Sequence, residues 1–128
     1  MTTRYQRGIR MIKQLDEEQV GQIIEGLADI APDFASHVIE FAFGDIYSRP
    51  GLDLRSRQIS TVSTLVALGA PPQIYTHLRA ARRIGVSREE IVEVIMQTAV
   101  YAGFPAALNA FAAAKTVFNE EAATASAS

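Results

Sequence analysis

Four consecutive residues, Gly69-Ala70-Pro71-Pro72, constrain this chain more than any other stretch. Glycine closes a helix by accepting the left-handed turn at its end. Proline lacks the amide that a helix interior needs, yet suits the first turn of a new helix. Apolar residues recur at spacings of three and four on both sides, so the break predicts two helices, 54–68 and 72–84, joined by a very short turn. Asp53 stands ready to cap the first, and Gly85 to end the second.

The same punctuation divides the rest of the chain. Tyr5, Ile9 and Ile12 share a face of a helix over 4–13, with Arg4, Arg7 and Arg10 on its solvated side. Asp16 with Gln19 reads as an N-cap and its reciprocal partner, opening a helix with a buried stripe of Val20, Ile23, Ile24 and Leu27. Pro32 opens a third helix, expected to bury Phe34, Val38, Phe41, Ala42 and Ile46 and to leave His37 outside with Asp33 and Glu40. Ser87 and Glu90 form a capping box for a helix over 88–102, apolar on nearly every side and therefore expected to be central. Gly103 and Pro105 separate it from an alanine-rich last helix, expected to bury Phe104, Leu108, Phe111 and Phe118. No stretch alternates with period two for long enough to be a strand. The expectation is an all-α single domain over 1–120, a bundle of about seven helices, followed by a flexible tail over 121–128.

Charge and composition narrow the function. A net charge of −2 offers no general attraction to nucleic acid or to an acidic membrane. No apolar run approaches the ~20 residues that cross a bilayer, and no secretion signal is visible, so a cytoplasmic location is expected. The absence of cysteine excludes disulfides, thiolate metal sites and dithiol redox cycles. Two histidines far apart argue against a histidine-rich metal site, and no phosphate loop or dinucleotide fingerprint is present. Ser60, Thr61, Ser63 and Thr64 lack a paired His and Asp, and read as hydroxyls bonded to helix backbone.

The residues able to do chemistry concentrate between Tyr47 and His77: Arg49, Arg55, Gln58, Gln73, Tyr75 and His77. His77 shares a face with Ile74, Leu78 and Ala81, which suits either a satisfied core histidine or an acid–base group tuned by partial burial. Arg55 and Gln58 lie on one stripe with Val62. Arginines, a histidine and apolar walls would suit a small anionic substrate, with Arg49 or Arg55 holding a carboxylate. Loss of CO2 coupled to proton transfer needs no cofactor where the substrate supplies its own electron sink.

Four segments also carry a resemblance. They are Gly44-Asp-Ile-Tyr-Ser-Arg-Pro-Gly-Leu-Asp-Leu-Arg-Ser-Arg-Gln58, Val66-Ala-Leu-Gly69, His77-Leu-Arg-Ala-Ala-Arg-Arg-Ile-Gly-Val-Ser-Arg-Glu-Glu-Ile-Val-Glu-Val94 and Ala99-Val-Tyr-Ala-Gly-Phe-Pro-Ala-Ala107. In this order, over roughly residues 35–118, the chain resembles the carboxymuconolactone decarboxylase family. The resemblance implies the all-α, alkylhydroperoxidase-like fold, assembled as a homo-oligomer (hexamer or trimer) with sites near subunit interfaces. The hydroperoxidase-like branch needs two cysteines and a glutamate at the positions of Ala70, Gln73 and Gln58, so peroxide reduction is excluded here. The decarboxylase-like branch keeps the histidine and the Ser-Arg-Pro-Gly-Leu loop.

That branch implies cofactor-independent conversion of 4-carboxymuconolactone to the 3-oxoadipate enol-lactone in aromatic catabolism. His77 would then deliver the proton, Gln58 would orient substrate or histidine, and Arg55 or Arg49 would hold the anionic lactone, with Gln73 and Tyr75 as further substrate contacts. Two alternatives stay open: a lactone or polyketide isomerase or cyclase without CO2 loss, and a non-catalytic helical oligomer that binds a small ligand.

Overall fold

The computed structural model describes residues 1–127, and among them every regular element is helical. The elements are α1 (Arg4–Leu15), α2 (Gln19–Leu27), α3 (Pro32–His37) running into a π-helical segment (Val38–Tyr47), α4 (Leu54–Leu68), α5 (Pro71–Arg83), α6 (Arg88–Ala102) and α7 (Phe104–Ala127). They fall into two compact units, Met1–Leu54 and Arg55 onward. No helix is long and apolar enough to cross a membrane.

In the first unit, a capping box of Thr3 and Gln6 starts α1. Its glycines then let backbones meet. A side chain on Gly8 would strike the carbonyl of Ile39, and one on Gly44 the carbonyl of Arg4. Arg4 adds a forked pair of bonds to the Asp45 carboxylate, which holds that carboxyl below its ordinary range.

Two sequence expectations for this unit fail for local reasons. Asp16 does not open α2. It closes α1 in an extended conformation, with its N–H on the Ile12 carbonyl, and its side chain accepts from the Glu18 N–H. The capping residue of α2 is Glu18, without a side-chain bond, and no residue of that helix is fully buried. The third helix buries Ala35, Ile39, Phe43 and Gly44, whereas Phe34, Phe41 and Ile46 are exposed. The inner face is the one that α1 covers: Gly8 meets the Ile39 backbone and Gly44 the Arg4 backbone, which turns Ile39 and Phe43 inward and leaves Phe34 and Phe41 outside. His37 is exposed, as its spacing implied.

The second unit carries the larger core. Val62 and Val66 of α4, Ile74, Leu78 and Ala81 of α5, and Ile91 and Ile95 of α6 pack with Ala107, Ala110, Ala113, Ala114 and Val117 of α7. The alanines, not the phenylalanines, form the inward stripe of α7; Phe111 and Phe118 flank it, and Phe104 and Leu108 are exposed. Small side chains at spacings of three and four let this helix lie close on its neighbours, which leaves the large rings at the margins. Gly69, at φ +65°, ends α4, and the Ser87–Glu90 box starts α6 as its sequence suggested.

Helix α7 continues through Ala127 instead of giving way to a tail at 121; Ser128 lies outside the described residues. Its last turns are tied to α5 and α6. Arg82 bonds Glu121 through Nε and Nη2, Arg88 reaches the same carboxylate, and Arg79 pairs with Glu120. These arginines hold both carboxyls below the ordinary glutamate range. The sequence alone makes Arg79, Arg82 and Arg83 look like solvated surface, because the partner carboxylates come about forty residues later.

Candidate active site

Helices α4 and α5 fold back on one another through Gly69 and Ala70, with each contributing an apolar stripe. On α4 the fully buried positions are Gln58, Val62 and Val66, four residues apart. A glutamine therefore occupies a core position at the start of that stripe, at 0% exposure. Such a group is tolerated only when its polar atoms are bonded. Its amide nitrogen meets two atoms of one residue: His77 Nδ1 at 2.8 Å and the His77 carbonyl oxygen at 3.0 Å. One side chain thereby fixes both the ring and the backbone of His77.

His77 itself is half-buried, beside Ile74, Leu78 and Ala81 on the inner face of α5. Burial lowers its pKa below the ordinary histidine value of 6.5, because the charged ring loses hydration with no carboxylate bonded to it in return. Neutral imidazole is the resting form at pH 7.

The other candidates are placed differently. Arg55 lies one turn before Gln58 on α4, and its guanidinium is paired with the Glu90 carboxylate. Glu90 also accepts the Ser87 N–H, so one carboxylate caps α6 and anchors Arg55. The sequence showed only the capping half of that role. Both partners are close to half exposed, so Arg55→Ala is expected to cost under about 1 kcal/mol in chemical denaturation. Tyr75 packs against the core with the Arg79 guanidinium 5.8 Å above its ring, and Arg79 in turn holds Glu120. Gln73 is exposed in the first turn of α5. Arg49 belongs to the first unit, where the Ser48 hydroxyl donates to the Phe43 carbonyl and the Arg49 N–H to that of Ile46.

The structure thus joins Gln58 to His77, commits Arg55 to Glu90 and Tyr75 to Arg79, and leaves Gln73 at the surface. Thr61 and Thr64 bond carbonyls one turn back, as expected, whereas Ser63 pairs with the Thr98 hydroxyl of α6. Among the described residues no three His, Cys, Asp or Glu side chains are grouped to hold a metal ion.

Comparison with known proteins identifies the family. The profile of the carboxymuconolactone decarboxylase family matches residues 32–116, which include both Gln58 and His77. The chain is 36% identical over 118 residues to the 4-carboxymuconolactone decarboxylase of Acinetobacter baylyi, covering 91% of this chain and 88% of that protein. It is 27% identical over 117 residues to the nitrosuccinic acid decarboxylase of Metarhizium robertsii, covering 91% and 82%. An uncharacterized protein of Paracoccus denitrificans is 30% identical over 100 residues, covering 77% and 75%.

Proposed function

Because the chain belongs to the carboxymuconolactone decarboxylase family, we propose that it is a cofactor-independent carboxy-lyase for a small carboxylated acid, of the 4-carboxymuconolactone type. The observation that carries this reading is the buried Gln58–His77 pair within the matched segment. A core glutamine whose amide nitrogen bonds both the ring and the carbonyl of one half-buried histidine fixes how that ring is aimed.

Two relatives are named for decarboxylation of different acids, a carboxylated lactone and a nitro-substituted succinic acid. The names share a chemical logic. Each acid carries an electron-withdrawing group, a lactone carbonyl or a nitro group, able to accept the electron pair left when a C–C bond to carboxylate breaks. The protein then has three tasks: to hold the anion, to stabilise the charge that moves onto oxygen, and to allow a proton to reach carbon. His77 is assigned to the charged centre, Arg55 to a substrate carboxylate, and Gln73 and Tyr75 to the substrate's margins.

The test is CO2 release together with ultraviolet loss of 4-carboxymuconolactone by the purified protein, with a chelator present and nitrosuccinic acid run in parallel. Chelator-resistant turnover of either acid, with Arg55→Ala slowed more than about tenfold, supports the reading. Consumption of the lactone without CO2 would make the protein an isomerase or cyclase. No consumption of either acid, with ligand binding retained, would make it a binding protein.

The surface of the second unit supports a homo-oligomer. Met96, Val100 and Tyr101 of α6 and Phe104 and Leu108 of α7 are all exposed; Tyr101 is 84% and Phe104 78% accessible. Met96, Phe104 and Leu108 border an apolar cavity of about 370 Å³ floored by Ala99 and Ala107. Ridges and a groove on one face fit a second copy of the same face, and a lone chain would gain nothing from exposing them. Leu108→Glu is expected to lower the sedimentation mass toward that of one chain, with helix content unchanged by circular dichroism. An unaltered mass would place the interface elsewhere.

A further inference from the structure

Gln58 determines which nitrogen of His77 carries the proton. A carbonyl oxygen can only accept, so the Gln58 atom 3.0 Å from the His77 carbonyl must be the amide NH2. The same nitrogen is 2.8 Å from Nδ1, and its second proton points there. Nδ1 must then offer a lone pair, which leaves the one proton of a neutral ring on Nε2. Protonating Nδ1 would set N–H against N–H. Turning the amide over would set its oxygen against the carbonyl of residue 77. Either change loses a bond inside the core, where Gln58 has no exposure to water. Nδ1 is taken by Gln58, so on this half-buried ring Nε2 is the nitrogen left to meet a ligand.

We infer that His77 acts as a neutral hydrogen-bond donor, presenting Nε2–H to the oxygen on which charge collects as CO2 leaves, with Gln58 as the positioning residue that holds this tautomer. The inference rests on the decarboxylase reading and revises the proton-delivery role that the resemblance implies for His77. When the C–C bond to carboxylate breaks, its electron pair passes into the lactone carbonyl or nitro group, giving an oxyanion and CO2. Neutral imidazole is too weak an acid to surrender its remaining proton, so Nε2–H stays on nitrogen and bonds the oxyanion. Water supplies the proton that reaches carbon, and the resulting hydroxide combines with CO2 as bicarbonate.

Nitrogen-15 NMR of histidine-labelled protein reads the tautomer without turnover. The expected spectrum at neutral pH shows an unprotonated Nδ1 and a protonated Nε2 for His77, persisting as pH falls through the ordinary histidine range. A proton on Nδ1 at neutral pH, as the other tautomer or as imidazolium, overturns the inference. Gln58→Glu puts a carboxylate acceptor against Nδ1, so the spectrum should change to Nδ1–H and kcat should fall at least about tenfold with KM little altered. Unchanged kcat in a folded variant counts against the assignment.

A second variant covers the case in which that one does not fold. In His77→Gln an amide N–H reaches the place of Nε2 but cannot carry a proton between molecules. It is expected to keep turnover within about tenfold of the parent, whereas His77→Ala loses two orders or so. Equal inactivity of the two would mean that His77 transfers a proton, and the inference would fall. Absence of CO2 release by the parent protein is a separate failure: it removes the decarboxylase reading and, with it, the donor's role, while the tautomer is still read by NMR.

Discussion

Replacing His77 with alanine is expected to cut the rate of CO2 release by at least about a hundredfold while leaving the helical fold in place. The two effects separate because of how Gln58 is bonded. Its amide donates to the ring of His77 and also to the backbone carbonyl of that residue, and the second bond survives any substitution there. One amide proton loses its partner, a structural cost of about 1–3 kcal/mol. The half-buried site leaves room for water to take part of that place. Initial rates of CO2 release, measured beside a thermal melt, decide the matter. A folded variant that keeps more than a tenth of the parent rate would remove His77 from the reaction.

The acid side of the profile has a definite sign. Burial lowers the pKa of His77 in the folded state, so neutral His77 contributes stability that is fully present above the ordinary histidine value of 6.5. That contribution is lost as pH falls below 6.5 and the unfolded chain takes up a proton that the folded one refuses. Turnover is expected to hold level through pH 6.5 and to fall only under more acid conditions.

Gly8→Val is expected to have the largest effect on stability, a loss of about 3 kcal/mol or more. A Cβ at that position would lie 2.0 Å from the Ile39 carbonyl oxygen and 2.8 Å from its carbon. Both obstacles are main chain, so no rotamer can relieve the clash, and α1 would have to move off the π-helical segment. The opposing contact, Gly44 against the carbonyl of Arg4, would open with it. Hydrogen exchange should show lost protection first across residues 4–47, and denaturation should confirm the magnitude. A variant within about 0.5 kcal/mol of the parent would mean that the two helices do not meet backbone to backbone.

Much of the fold could be read because helix punctuation is local. Pro71-Pro72 after Gly69, and Ser87 with Glu90, act within a turn of chain, and the helices begin and end close to where they point. The absence of cysteine was equally decisive, since no tertiary structure can restore a missing thiolate. His77 was legible for the same kind of reason: its helical spacing put it on the apolar side, and it lies there.

What failed were judgements about which face is inward. Phe34 and Phe41 lost the core to Ile39 and Phe43 because α1 packs backbone to backbone on the side of Ile39 and Gly44, and the spacing of apolar residues offers both faces equally. Phe104 and Leu108 lost it to Ala107 and Ala110 because close helix approach rewards small side chains, an advantage that exists only once a neighbour is present. The pairings of Arg55 with Glu90 and of Arg82 with Glu121 join residues more than thirty positions apart. The sequence by itself determined the helices, their breaks and the chemistry excluded. Only the tertiary structure decided that the amide of Gln58 is bonded to His77, because hydrogen bonds between helices depend on packing distances that no local pattern encodes.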